Sequence, residues 1–480
     1  MKRYIAIGCL CLTMLFAACD NYLDIVPKGQ SVLNSTDDYL GLLEEVSPSY
    51  DVGDFWYMAD EVCNFNMPTL EAYQYPLSAI GFFWDETKNR ADYMETDELY
   101  DACYKRIMRY NVVISNIDDS EGNAEDKVTG KAQAKIMRAY NYFFLVNKFA
   151  KFYDKNTAAT DNGIIIHEEL NLEAKSKQYT VAQVYEVIER DIMEALPDLP
   201  ERAKNAFLPD RYFGYALKAK VHLFKREIDE ALAAGLEALK SDYHKLWDMP
   251  ALYTKLMAEN PLLGMMPTMW SSAVYRTEDD PENLLYQFGL TQFDPSPSYV
   301  RKPIIDLYDK TSDLRYLMCI SYAMPARPTA EVGAMPMMCS NVKWNCGGIR
   351  LSEVYLMVAE CYARKDDKTN ALFYLDELRK MRFLPAGYKA SEAADAKEAF
   401  RLIRDERKRE LLLTSNGFFD MRRFCAEFNE TLTKEYVMKN ATTGETTIKT
   451  YTLKPNSPLL IWPFPKNAME TSDLIQNTTL

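Results

Sequence analysis

Apolar residues recur at helical spacing through most of this chain, in paired stretches separated by aperiodic, proline-broken segments. Residues 35–46 predict a short opening helix, with Ser35 or Thr36 to cap it and Tyr39, Leu40, Leu42 and Leu43 on its apolar side. Leu99, Ala102, Cys103, Ile107, Tyr110, Ile114 and Ile117 form one long stripe. Ala134, Met137, Ala139, Tyr140, Phe143, Phe144 and Val146 form another within Gly130–Tyr153. A second pair is predicted over Val181–Leu196, stopped by Pro197 and Pro200, and Arg211–Arg226, with Asp229–Lys240 as a further short helix. A third falls at 349–365 and 369–382, and a fourth at 395–414 running into Gly417–Phe424. Residues 433–453 alternate around Ala441–Gly444, which predicts a β-hairpin, and the chain from Pro455 reads as extended.

Two segments lose the period. Residues 47–92 carry Pro48, Pro68 and Pro76 among Phe55, Trp56, Tyr57, Phe83 and Trp84, and read as a long irregular surface element. Residues 243–348 are proline-rich, with aromatic residues at Trp270, Tyr275, Phe293, Tyr299 and Trp344. The small residues Ala139, Ala216, Ala219, Ala359 and Ala371 stand where paired helices must approach closely. The pattern therefore predicts a mainly α fold, a tetratricopeptide-like helical-repeat scaffold of about four helix pairs with long irregular loop inserts and a small β-hairpin. The pairs fall near 93–153, 180–240, 349–382 and 395–424, within one domain over 35–480; the inserts 47–92 and 243–348 supply a loop-built face suited to binding.

The N-terminus changes where this domain must work. Lys2 and Arg3 precede an apolar run from Tyr4 to Phe16, then Ala17, Ala18 and Cys19. A basic start, a core too short to span a bilayer and small residues before a cysteine predict a lipoprotein signal over 1–18, cut before Cys19, with Cys19 then acylated. The pattern resembles the bacterial lipobox, with Phe16 where leucine is usual. Residues 19–34 read as a lipid-anchored tether, so the chain contacts the membrane through its N-terminal lipid only. The net charge of −14 makes nucleic acid a poor partner. Cysteines are scattered, against a disulfide scaffold; Cys103 and Cys361 fall in helical patterns as small core residues, and Cys339 and Cys346 are near enough in sequence to pair across a loop.

Several stretches together resemble the SusD/RagB family of outer-membrane nutrient-binding lipoproteins. Leu23-Asp24-Ile25-Val26-Pro27 follows the lipid cysteine as in that family, and Arg138-Ala139-Tyr140 with Tyr142 and Phe143 is similar to its arginine–alanine–aromatic helix. Ile349-Arg350-Leu351-Ser352-Glu353 through Ala359-Glu360 resembles its best-known signature. Asp405-Glu406-Arg407 with Arg409-Glu410, then Gly417 to Phe424, resembles its late one, with Phe418 or Phe419 where arginine is common. Ile461-Trp462-Pro463-Phe464-Pro465 with Gln476-Asn477 is similar to its closing segment. The resemblance implies a glycan ligand and a partner, a TonB-dependent outer-membrane transporter (the family's SusC-like component) over which the lipoprotein sits as a lid, at the cell surface. It also implies that the helical scaffold meets the transporter.

The residues themselves favour binding over catalysis. His167-Glu168-Glu169 begins like a zincin helix, but Asn171 stands where the second ligand is needed, and neither a nucleophile elbow nor a phosphate loop occurs. No cofactor is implied; the many carboxylates leave room for calcium, though no loop has EF-hand spacing. A glycoside hydrolase remains the enzymatic alternative, and a peptide binder is the alternative within the same architecture. Sugars present flat CH faces ringed by hydroxyls, which an aromatic ring and neighbouring polar groups cover. Three clusters in the irregular stretches suit this. Trp84 with Phe83, Asn89 and Arg90 comes first, where the family resemblance also implies a platform tryptophan. Trp270 with Tyr275 and Arg276 is second, and Trp56 with Tyr57 and Asp60 third. Trp247 and Trp462 read as packing residues, and the signature charges as scaffold ion pairs: Arg350, Glu353 and Glu360 on one helix face, Arg407 with Glu410, or Asp420 with Arg423. A surface lipoprotein without cargo predicts instead that the loop tryptophans are buried.

Overall fold

A computed structural model describes residues 33–44, 52–64, 76–168, 176–259, 278–288, 298–320, 331–336, 345–439 and 443–478. Its scaffold is helical. Glu98–Asn116 packs on Ala124–Phe149, which packs on Val181–Ala195; Arg211–Lys225 packs on Ile228–Ala238, and that helix packs on Leu351–Arg364. Leu351–Arg364 in turn carries Lys368–Lys380 and Ala396–Glu410. The expected helices are all present within a few residues, except that Ala124–Phe149 starts six residues before the predicted Gly130. Asn123 caps it there by accepting a hydrogen bond from the Glu125 backbone, in a polar first turn that hydrophobic spacing does not register. Ser35 with Asp38, and Thr180 with Gln183, form reciprocal capping boxes.

The pairing of helices differs from the expected one in two places. Val181–Ala195 packs mainly against Ala124–Phe149 and not Arg211–Lys225. The reason lies in Ala124–Phe149, whose second half is apolar on every side and is buried almost continuously from Ile136 to Phe149. Such a helix needs neighbours on both flanks. Ala396–Glu410 packs chiefly on the third pair, and its link to Asn416–Phe428 runs through Arg407 to Asp420 and Phe400 to Phe424. Small residues set the closest approach. A Cβ on Gly235 would stand 2.7 Å from the Val358 side chain, across a seam that also uses Ala219.

The segment 47–92 is more regular than its sequence predicts. Its described part holds helices Gly53–Met58 and Pro76–Phe83 and strand Val62–Asn64. Its aromatic residues are core: Phe55 packs against Phe418, Phe419 and Trp462 with ring centres 4.7, 5.6 and 5.3 Å away. Within 243–348, Met249–Glu259 is helical, Ser298–Val300 bridges Val62–Asn64 and Met335–Pro336 in an antiparallel sheet, and Asn283–Leu285 pairs with Ile349–Arg350. The hairpin is formed by Leu432–Lys439 and Thr446–Leu453. The tail is not simply extended, since Lys466–Thr471 is helical. Trp462 is a packing residue as expected: its backbone N–H donates to the Lys148 carbonyl at 2.9 Å, closing the tail onto the N-terminal half.

The signature charges lie buried and join the pieces of the scaffold. Arg138 holds Asp191 through two bonds of 2.7 and 2.8 Å. Arg315, Arg350 and Arg382 converge on Glu410, and Glu360 takes both Arg364 and Arg423. Asp420 pairs with Arg423 at 2.8 Å, as expected, but Arg407 turns to Asp420 and not to Glu410. Cys103 and Cys361 are buried thiols in helices; Cys339 lies outside the described residues. No helix among the described residues is long and apolar enough to cross a membrane.

Candidate functional site

The two short helices of the 47–92 segment end side by side, and each ends on a residue with left-handed backbone. Asp60 has φ +65° just past Gly53–Met58, and Trp84 has φ +49° just past Pro76–Phe83. For a bulky residue such as tryptophan this conformation is costly and marks an imposed geometry. The Trp84 indole N–H donates to the Met58 carbonyl at 3.0 Å, which ties the two helix ends together. Both residues line a cleft of about 220 Å³ whose far side is built from the late signature: Arg404, Arg407, Lys408, Asp420, Met421 and Phe424.

Charges behind Asp60 and Trp84 are buried and paired. Arg301, fully buried, donates to both Glu331 carboxylate oxygens at 2.9 and 3.0 Å, to the Glu435 carbonyl at 2.6 Å and to Asp60. Lys434, from the hairpin, stands 3.0 Å from Asp60, with its ammonium 4.2 Å from the Trp84 ring centre and 4.3 Å from that of Phe82. Burial, only partly opposed by the Asp60 carboxylate, pulls the Lys434 ammonium down to about 8. Glu61 is also walled in. Its carboxyl accepts the Leu413 backbone N–H at 3.0 Å, and a Cβ on Gly417 would lie 2.1 Å from its Oε1, so that position has room only for glycine. Burial pushes the Glu61 carboxyl up to about 8, which keeps it largely neutral at pH 7.

The opposite wall is cationic and aromatic. Arg407 forks onto Asp420 at 2.6 and 3.0 Å, and its remaining Nη1 is buried without a hydrogen-bond partner among the described residues. Arg404 bonds Glu430 at 2.8 Å and lies over the Phe424 ring at 4.3 Å. Lys408 is exposed at the edge. Such a cleft can hold one small ligand by charged hydrogen bonds beside apolar edges.

Of the candidate residues named from the sequence, this cleft unites Trp84 and Asp60, although Trp84 is itself buried, at 6% exposure, and not the open platform expected. Others are corrected by their surroundings. Phe83 is buried with its ring 5.2 Å from that of Tyr451, Trp56 and Tyr57 are core, and Arg90 is fully buried. Arg90 donates to the Ile461 carbonyl at 2.6 Å and lies over Trp462 at 4.5 Å, so it clamps the C-terminal tail instead of facing solvent. Asn89 caps the turn Arg90–Tyr93 by accepting from the Ala91 N–H at 3.0 Å. These residues look polar-flanked in sequence because their helices are too short to display a stripe. Trp270, Tyr275, Arg276 and Cys19, the expected lipid attachment, lie outside the described residues. Sequence reading missed Glu61, Arg301 and Lys434 altogether, and took Arg407 and Asp420 for scaffold only; no local signal distinguishes them.

Asn64 opposes Ser298, and Pro336 opposes Tyr299, so one end of the three-stranded sheet carries the residues at which stretches 65–75, 289–297 and 337–344 join the described chain. Elsewhere, Glu189, His222 and Glu227 are near enough together to hold a metal ion, but the Lys225 ammonium already sits between the two carboxylates, 2.5 and 2.9 Å from them.

Comparison with known proteins agrees with this architecture. A family model described as starch-binding associating with outer membrane matches residues 22–223, and a SusD family model matches residues 343–479. None of the curated proteins matches the sequence. Among solved structures, a Bacteroides vulgatus protein is 19% identical, with a TM-score of 0.70 over 93% of this chain and 99% of that one. A SusD superfamily protein from Bacteroides thetaiotaomicron is 18% identical (TM-score 0.67, 92% and 99% covered). A SusD-like carbohydrate binding protein from Bacteroides vulgatus is 17% identical (TM-score 0.65, 93% and 97% covered). At these identities the solved structures establish the fold, and the two family models, matching both halves of the chain in order, establish the membership: the chain belongs to the SusD/RagB family.

Proposed function

We propose that this chain is a cell-surface glycan-binding lipoprotein, anchored through Cys19 in the outer membrane, that captures saccharide and passes it to a TonB-dependent transporter, over which it acts as a lid. Family membership supports the class, and the family model's own description names starch binding and the outer membrane. The observation that carries the reading is the cleft in which Trp84 and Asp60 face Arg404, Arg407 and Phe424. Burial of Trp56, Phe83 and Trp84 alone suits a cargo-free structural lipoprotein; the charged cleft that Trp84 borders is what favours a ligand. A lipid tether adds high effective concentration at the transporter mouth.

The test is a glycan-array screen of the mature chain from residue 20, followed by calorimetry on the best glycan with wild type and Trp84→Ala, each checked for folding by circular dichroism. Saccharide binding that weakens in folded Trp84→Ala is the expected result. A blank array, or equal affinity in the two proteins, overturns the reading of the chain or of the site respectively.

A further inference from the structure

Resting on the glycan-binding reading of this cleft, we propose that it takes an acidic sugar residue, a hexuronic acid, whose carboxylate meets Arg407 Nη1 and Lys408. The pairing of charges around the cleft is what points there. Each ionised carboxylate on its walls already has a cation: Asp60 has Arg301 and Lys434, Asp420 has Arg407 and Arg423, and Glu430 has Arg404. Glu61 is held neutral by burial and adds no repulsion to an incoming anion.

Two cationic donors are left over. Arg407 is 2% exposed and its Nη1 has no hydrogen-bond partner among the described residues, a desolvated donor. Lys408, next to it in sequence, is exposed and has no ion pair among the described residues. A neutral hydroxyl would satisfy one of these; a carboxylate satisfies both, and a guanidinium edge is shaped for it. Size and shape narrow the class further. About 220 Å³ is below the roughly 300–1,000 Å³ of pockets that enclose larger organic ligands, so the cleft takes one ring, the terminal residue of an oligomer. Trp84 and Phe424, 6% and 5% exposed, add apolar edges to its lining, while Arg404 and Arg423 lie over the Phe424 ring.

The experiment is calorimetry of the mature chain against oligomers of galacturonate, mannuronate and glucuronate, each beside its neutral counterpart, the methyl ester where available. At least one hexuronate should bind about ten-fold more tightly than its neutral counterpart, with a preference that shrinks as salt rises. Lys408→Gln should reduce that preference several-fold, and Trp84→Phe should remove the ligand-induced change in tryptophan fluorescence. If neutral and acidic forms bind alike, the inference is overturned while glycan binding stands. If the acid preference survives both substitutions, the anionic subsite lies elsewhere and the inference is overturned too. Binding of a short acidic peptide at this cleft in place of any hexuronate also overturns it. Absence of binding to every saccharide, together with a blank array, overturns the glycan reading on which it rests.

Discussion

Replacing Glu61 with glutamine tests whether the cleft wall holds a neutral carboxyl. Glu61 titrates from an ordinary value of 4.5 in the unfolded chain to about 8 in the fold, because burial penalises its charged form. Between those values the folded chain keeps a proton that the unfolded chain has released. Stability contributed by this group is therefore intact below pH 4.5 and is lost as the pH rises toward 8. One proton difference is worth about 1.4 kcal/mol per pH unit, so wild type should lose about 3 kcal/mol relative to Glu61→Gln between pH 5 and pH 7. The amide keeps the shape and can still accept the Leu413 N–H, so the variants should nearly coincide near pH 4.5. Lys434, which burial shifts in the opposite sense, is present in both proteins and largely cancels. Urea unfolding of both proteins at pH 5, 6 and 7 reads the difference directly. A gap between them that does not widen with pH refutes the neutral carboxyl, and with it the statement that Glu61 offers an anion no repulsion.

Two further outcomes are expected. Glu360→Gln removes the carboxylate that Arg364 and Arg423 share, leaving them Glu427 and Asp420, and should cost about 1.5–3 kcal/mol at pH 7, read as a lower urea midpoint. Arginine partners hold the Glu360 carboxyl well below the usual range, so this stabilisation is present above about pH 4.5 and fades as the pH falls below it; the gap between wild type and variant should close in acid. Cys19→Ala should move the protein from the outer-membrane to the soluble fraction on cell fractionation; retention in the membrane would contradict a lipid anchor at that residue.

How much of this protein can be read from its sequence follows from the range of the forces involved. Helical periodicity is local: four residues return the chain to the same face, so the long stripes of 98–116, 124–149, 181–195 and 211–225 announce themselves, as do the caps at Ser35 and Thr180. The family signatures over 138–143, 351–360, 405–410 and 417–424 are legible for the same reason, since they lie on helices. The helices Gly53–Met58 and Pro76–Phe83 are six and eight residues long, about two turns each, and their aromatic residues are buried from several sides at once. No stripe can form there, which is why Trp56, Phe83 and Arg90 look available in sequence and are buried in the fold. Sequence by itself determined the helical class and the family. Only the tertiary structure decided the site, because its contacts join Glu61 to Leu413, Asp60 to Arg301, and Trp84 to a hairpin lysine at position 434. Burial and charge pairing between such distant positions leave no periodic trace, since each depends on where the chain returns and not on its neighbours in sequence.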